Sequence, residues 1–151
     1  MKRNTDRSNR FDLRILNELR KSARLSMAEL AQRVGLSKSP VLARVRRLER
    51  DGYILAYRAE LNAEKLGLAQ VAFVQVTLSD TTTEALEAFD QAARAASEIE
   101  QCHMIAGGFD YLLKVQTADV ASYRKAFGET LAHLPHVTQT STYIAMEIVK
   151  E

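Results

Sequence analysis

"GLSKSPVLARVRRLERDGYI", residues 35–54, sets four arginines and a lysine among regularly spaced aliphatic residues, with a proline near its start and Asp-Gly near its end. Val41, Val45 and Leu48 recur at i, i+4 and i+7, a spacing that predicts a helix with one aliphatic edge. That edge assigns Lys38, Ser39, Ala43, Arg44, Arg46, Arg47 and Arg50 to the opposite face. Ser37 is placed to cap the helix. Pro40 falls in its first turn, where the missing N–H has no helical partner to lose. Gly52 ends it.

Working towards the N-terminus, "SMAE" at 26–29 is a capping box opening a shorter helix that carries Met27, Leu30, Ala31 and Val34 inward. Gly35 follows, suited to the left-handed conformation of a sharp exit, and with Ala31 it is expected to let the two helices cross closely. A first helix is expected from Asn9, as its cap, to about Lys21, with Asp12 in its first turn and Phe11, Ile15, Leu16 and Leu19 as its apolar stripe. Two helices joined by a short turn, after a third, form a helix-turn-helix. Its last helix can enter a major groove by the turn bearing Lys38, Ser39 and Pro40, with Arg44, Arg46, Arg47 and Arg50 near phosphates. The bland alternative is a solvated charged face with Arg47 paired to Asp51. Exposed pairs of that kind contribute only about 0.3–0.5 kcal/mol, which gives no reason to gather five cations.

The charge distribution agrees. The net charge of +2 divides into fifteen Lys/Arg against seven Asp/Glu over residues 1–60, and six against twelve over residues 61–151. A basic front and an acidic rear point to a polyanionic partner for the front. At 151 residues and 46% hydrophobic content the chain can build one medium or two small cores. No apolar run approaches a membrane span and no signal-type core follows the start, so a cytoplasmic protein without a membrane partner is expected. The single cysteine, Cys102, rules out an internal disulfide and disfavours a cysteine-based zinc site.

Working towards the C-terminus, "DGYILAYRAEL" has strand-like alternation suited to a short wing or hinge, and a connector over residues 61–68 leads to a change of period. "AQVAFVQVTL" predicts a strand over 70–78, and a Thr81-to-Glu84 capping box opens a helix bearing Leu86, Phe89, Ala93 and Ala96. Strands are expected over 99–106 and 109–117, joined at Gly107-Gly108. Asp119 caps a helix with Val120, Tyr123, Phe127, Leu131 and Leu134 as its seam; Pro135 ends it, and a last strand is expected over 137–149. The fold class is α+β: a winged-type helix-turn-helix over 1–60, a hinge over 61–68, and a ferredoxin-like βαββαβ domain over 69–151. Helices on one sheet face leave the other to a second subunit, so a two-fold dimer is expected.

Taken in order, "LSMAELAQRVGLSKSPVLARVRRLERDGYI", "EQCHMIAGGFDYLLKV", "YRKAFGETLAHLPHV" and "TYIAMEIVKE" resemble the Lrp/AsnC family of leucine-responsive and asparagine-responsive bacterial regulators, in particular the leucine-responsive branch and related activators of proline catabolism. The resemblance spans nearly the whole chain. It departs from the family pattern at Ser8, Asn9 and Phe11 in the first helix, and at Gly108, where the family often has an acidic residue. It implies a DNA-binding domain, a hinge and an amino-acid-binding domain. It also implies homodimers that assemble into tetramers, octamers or larger rings, and control of amino-acid metabolism genes.

A free amino acid needs donors for its carboxylate and acceptors for its ammonium. Gly107 and Gly108 let backbone amides approach such a ligand, and Asp110 can accept from its ammonium; equally, Gly-Gly can simply make a hairpin with Asp110 satisfying its amides. The family resemblance places the effector, leucine, proline or another amino acid, around Ala106, Gly107, Gly108, Phe109 and Asp110, with the last strand adding Gln139, Thr140 and Thr142. Neither a cofactor nor a metal is expected: His133 and His136 lack nearby ligand partners, and no nucleophile elbow, phosphate loop or dinucleotide fingerprint appears. An enzyme is therefore not expected. The other reading of the basic domain is an architectural protein that compacts DNA with little sequence preference.

Overall fold

The computed structural model describes residues 2–149, and side chains from residue 10 onward. The chain divides into two compact units, Met1–Glu60 and Leu61–Glu151.

The first unit holds α1 (Lys2–Lys21), α2 (Met27–Val34) and α3 (Lys38–Arg50). Ile15 and Leu19 from α1, Leu30, Ala31 and Val34 from α2, and Val41, Val45 and Leu48 from α3 make one buried cluster. The first helix begins at Lys2, so Asn9 lies within it and is not its cap. The capping box of α2 is present: Glu29 N–H donates to Ser26 Oγ at 3.2 Å and Ser26 N–H to Glu29 Oε2 at 2.9 Å. The hydrogen bonds from Ser26 hold the Glu29 carboxyl below its ordinary pKa. Gly35 ends α2 at φ 73°, in the left-handed region. A Cβ there would meet nothing within 4 Å, so the position needs glycine for its backbone angle and not for a close helix crossing. Ser37 is the N-cap of α3 by its extended backbone, but its side chain makes no capping bond. After α3 the chain turns back, with Tyr53 and Ile54 N–H both donating to Leu48 O. Ile54 joins the cluster. Residues 55–61 form no strand, so the alternation there produces no paired wing in this chain. Its apolar side chains have no second strand beside them to fix the pleat.

The second unit comprises β1 (Gln70–Leu78), α4 (Thr83–Ala95), β2 (Ile99–Met104), β3 (Tyr111–Thr117), α5 (Val120–Glu129), a 3-10 turn at Leu131–His133 and β4 (Val137–Ile144). The sheet is antiparallel in the order β2-β3-β1-β4, the split βαββαβ arrangement. Ala72, Val74 and Val76 of β1 stand opposite Val115, Leu113 and Tyr111 of β3. With Phe89 and Ala93 of α4, Tyr123 of α5, and Leu131 and Leu134 beyond it, they form the core. Phe89 and Tyr111 pack ring on ring at 4.3 Å.

Four local expectations shift. Thr82, not Thr81, caps α4, accepting from Ala85 N–H at 3.4 Å while its own N–H donates to Asp80 Oδ1 at 2.6 Å. Asp119 caps α5 as expected, taking Ser122 N–H at 2.7 Å, a bond that lowers its pKa. β2 and β3 stop at Met104 and begin at Tyr111, so a six-residue loop, 105–110, replaces the short Gly-Gly turn. β4 ends at Ile144, where its pairing with β1 ends. In the seam of α5, Val120 is exposed.

The sheet face away from the helices is also more polar than expected. Phe73, Leu112 and Tyr143 stand on it among Gln75, Gln101, His103, Lys114 and Ser141, as the register and alternation of the strands require. An antiparallel sheet with one packed and one wettable face shows such alternation.

Phe89→Ala removes a fully buried ring and its contact with Tyr111; it is expected to destabilise the second unit by about 3–5 kcal/mol, read as a lower urea midpoint. Asp119 has a lowered folded-state pKa, so its contribution is present above the unfolded value and is lost as pH falls through the folded one. Asp119→Asn should therefore lose less stability than the parent chain between about pH 5 and pH 2, measured by denaturation at each pH.

Candidate nucleic-acid interface and effector site

The cationic face of α3 is in fact two surfaces. Ser39, Ala43, Arg46 and Arg50, at i, i+4, i+7 and i+11, are exposed and form one row along the helix, with Lys38 and Pro40 exposed at its start. Arg44 and Arg47 lie to the side of that row, against α1. Arg44 Nη1 donates to Asp12 Oδ1 at 2.9 Å, and Arg47 Nη2 donates to the other oxygen, Asp12 Oδ2. The Arg44 guanidinium also stands 5.8 Å from the centre of the Phe11 ring, within cation–π range.

Of the seven predicted DNA-contacting residues, then, Lys38, Ser39, Pro40, Arg46 and Arg50 stand on the open side, while Arg44 and Arg47 are anchored to the first helix. The Arg47–Asp51 pair of the alternative, solvated-face reading does not form; Asp51 takes Arg50 Nε instead, at 3.0 Å. Asp12 is the residue that sequence reasoning undervalued. It reads as a first-turn acid, yet α1 begins ten residues earlier, and its side chain is only 13% exposed. The sequence signal was an acid set beside the apolar stripe, next to Phe11.

The predicted effector residues divide as well. Loop 105–110 is tied to the sheet by Asp110: its N–H donates to Val76 O at 2.9 Å, its O accepts from Ile105 N–H at 2.8 Å, and its Oδ2 accepts from Leu78 N–H at 2.7 Å. The loop therefore sits at the end of β1 where Thr77 pairs with Gln139 and Val76 with Thr140. Gly107, Gly108 and Ala106 are exposed and Phe109 is half-buried. Neither glycine has a positive φ, and a Cβ on Gly108 would meet nothing within 4 Å. Within one chain, nothing about the fold of this loop demands two glycines.

Thr140 and Thr142 stand opposite Val76 and Val74, on the helix side of the sheet, whereas Gln139 stands opposite Thr77 on the other side. Thr142 Oγ1 is already hydrogen-bonded to the Tyr123 hydroxyl at 2.6 Å. The last strand thus brings Gln139 and Thr140 near the loop on opposite faces and ties Thr142, which is exposed, to Tyr123 on the helix side. His136, at φ 62°, accepts Ser79 N–H on its backbone oxygen at 2.7 Å, and His103 Nε2 lies 3.4 Å from Gln101 Oε1. Among the described residues, no three His, Cys, Asp or Glu side chains gather as a metal site, and no helix is long and apolar enough to cross a membrane.

Residues 8–54 match the winged helix-turn-helix DNA-binding family and residues 71–151 match the Lrp/AsnC ligand binding domain. The chain belongs to the Lrp/AsnC family of transcriptional regulators. It is 52% identical over 147 residues to the proline dehydrogenase transcriptional activator of Rhizobium radiobacter, covering 97% of this chain and 94% of that protein. The leucine-responsive regulatory protein of Escherichia coli K12 is 49% identical over 142 residues, covering 94% and 87%. Among solved structures, an AsnC family regulator from Agrobacterium tumefaciens superposes with a TM-score of 0.88 at 30% identity, covering 94% of this chain and 92% of that one. A transcriptional regulator from Neisseria meningitidis, solved as a complex with L-Met, gives 0.87 at 30% identity, covering 93% and 91%. In this Lrp/AsnC regulator the first unit is accordingly the DNA-binding one.

Asp12→Asn is expected to free Arg44 and Arg47 from a half-buried ion pair. The first unit should lose about 1–3 kcal/mol of stability. With one negative charge fewer beside the cationic helix, binding to a random duplex should tighten and its logarithmic salt slope should steepen by about one. Filter binding at several salt concentrations, beside thermal melts, checks both.

Proposed function

We propose that this regulator reads a specific duplex sequence with the row Ser39, Ala43, Arg46 and Arg50, and that a free amino acid bound at loop 105–110 controls how it does so. The observation that carries the first half is the division of α3 into an exposed row and a clamped pair. A helix held against its neighbours by Val41, Val45 and Leu48, and braced by Asp12 on one flank, offers a rigid edge to a major groove. Lys38, Ser39 and Pro40 enter first. Arg44 and Arg47, oriented by Asp12, are positioned for the phosphates on the flank of the groove.

The second half rests on the exposed glycines of the loop, which its own fold does not require, and on Asp110. With Oδ2 committed to Leu78 N–H, Asp110 Oδ1 remains to accept from a ligand ammonium. The amides of Ala106, Gly107, Gly108 and Phe109 are the donors for its carboxylate, and Gln139 and Thr140 stand nearest on the last strand. The names of the relatives favour proline or leucine as the effector. We take residues 61–68 as a hinge and the Phe73–Leu112–Tyr143 centre of the open sheet face as the seat of a homodimer, which assembles further into tetramers, octamers or rings. A ligand shifts this system only through unequal affinity for two arrangements of the subunits.

Footprinting and competitive binding over the protein's own upstream region, with and without L-proline and L-leucine, test the reading. A preference over a scrambled duplex of at least about a thousandfold is expected, together with a change in the footprint on adding one of the two amino acids. Equal affinity for both duplexes would overturn the first half; an unchanged footprint across all twenty amino acids would overturn the second.

A further inference from the structure

Between α4 and the edge strand β2 lies a cleft of about 320 Å³, lined by Asp90, Ala93 and Arg94 from the helix, residues 99–102 of the strand, among them Ile99, Cys102 and Glu100, the last paired with Lys114 at 3.0 Å, and Tyr111 from the neighbouring strand β3. This volume falls within the range of roughly 300–1,000 Å³ typical of small-molecule sites. Tyr111 is 1% exposed, and its ring is pinned by Phe89 at 4.3 Å. Its hydroxyl is buried at the cleft and meets no hydrogen-bond partner among the described residues. Its one polar neighbour of consequence is the Asp90 carboxylate, which acts on the hydroxyl both as a distant hydrogen-bond acceptor and as a negative charge, short of a well-formed bond. Burial first, and then Asp90, push the phenol up to about 12, so it remains a neutral donor at physiological pH.

A buried hydroxyl without a partner is costly in a folded chain, and its neighbours here are polar. At the same mouth, Asp90 and Arg94 sit one helical turn apart and form a loose pair at 3.4 Å, with Arg94 largely in solvent. Such a pair opens readily for a ligand. The floor is small and uncharged: Ala93, Ile99 and the Cys102 thiol, whose pKa burial raises to about 11.

We propose that this cleft is a second small-molecule site on each chain, built for a compact zwitterion of the α-amino acid class. The ligand ammonium takes Asp90, its carboxylate takes Arg94 and the Tyr111 hydroxyl, and its side chain rests on Ala93 and Ile99. The site is separate from loop 105–110. β2 links the two, since Cys102 lines the cleft and the strand ends two residues later at Met104, where the loop starts. Occupancy of the cleft therefore bears on the strand that leads into the proposed effector loop, although the cleft stands or falls independently of that loop's own role.

Cys102, the only cysteine in the chain, gives the site its own reporter. The rate of its alkylation by a small maleimide is measured on the full-length protein at rising L-leucine, and separately at rising L-proline. At least one is expected to slow the reaction saturably, by about fivefold or more. 4-Methylpentanoate, which lacks the ammonium, and isopentylamine, which lacks the carboxylate, should not. Protection should vanish in Tyr111→Phe, which keeps the ring on Phe89, and in the surface variant Arg94→Gln, yet persist in Gln139→Ala at the other proposed site. Failure of both amino acids to protect the thiol would overturn the proposal. So would equal protection by the two single-charge analogues, undiminished protection in both cleft variants, or its loss in Gln139→Ala.

Discussion

One carboxylate, that of Asp12, organises the cationic end of this molecule. Its two oxygens each take a guanidinium from the third helix, so a residue of α1 decides where two of the four arginines of α3 point. Two cations three residues apart on one helix repel each other; a shared, largely buried anion turns that repulsion into a fixed geometry. The aliphatic edge of α3 supplies most of the attachment, but apolar packing is tolerant of rotation about the helix axis. Hydrogen-bonded charges are not. Asp12 selects one rotation, and with it the row Ser39, Ala43, Arg46 and Arg50 that faces outward.

The second unit depends on a comparable constraint, the strict alternation of its central strand. β1 pairs on both sides, so every residue of it belongs either to the helix face or to the open face. Ala72, Val74, Val76 and Leu78 commit the first face to the core. Because the partners inherit this parity, Thr140 and Thr142 face the helices and Gln139 does not, and Asp110 is drawn to the end of β1, where Leu78 N–H offers a donor. Tyr111 is the exception of consequence: its ring belongs to the core, and its hydroxyl reaches the cleft under α4.

Much of this was legible in the sequence because it follows from periods and caps. The i, i+4, i+7 spacing of Val41, Val45 and Leu48 gave the buried edge of α3, Ser26–Glu29 the start of α2, and the alternation of residues 70–78 the limits of β1. What the sequence could not specify was competition between partners far apart in the chain. Arg47 has an acid four residues on, and local reasoning pairs them. Asp12, thirty-five residues away, wins because it is already desolvated and meets two cations at once. The family resemblance puts Gln139, Thr140 and Thr142 together on the last strand, and only the register shows that Thr140 and Thr142 share a face that Gln139 does not. The strand-like alternation after Gly52 failed for another reason: a strand needs a partner, and residues 55–61 have none within the chain.

The most direct test of the account is the structure of the full-length chain on a duplex to which it binds preferentially. Asp12 should still hold Arg44 and Arg47, with Ser39 and Arg46 in the major groove at hydrogen-bonding distance from base edges. Arg44 and Arg47 detached from Asp12 and inserted among the bases, with Arg46 left in solvent, would contradict it.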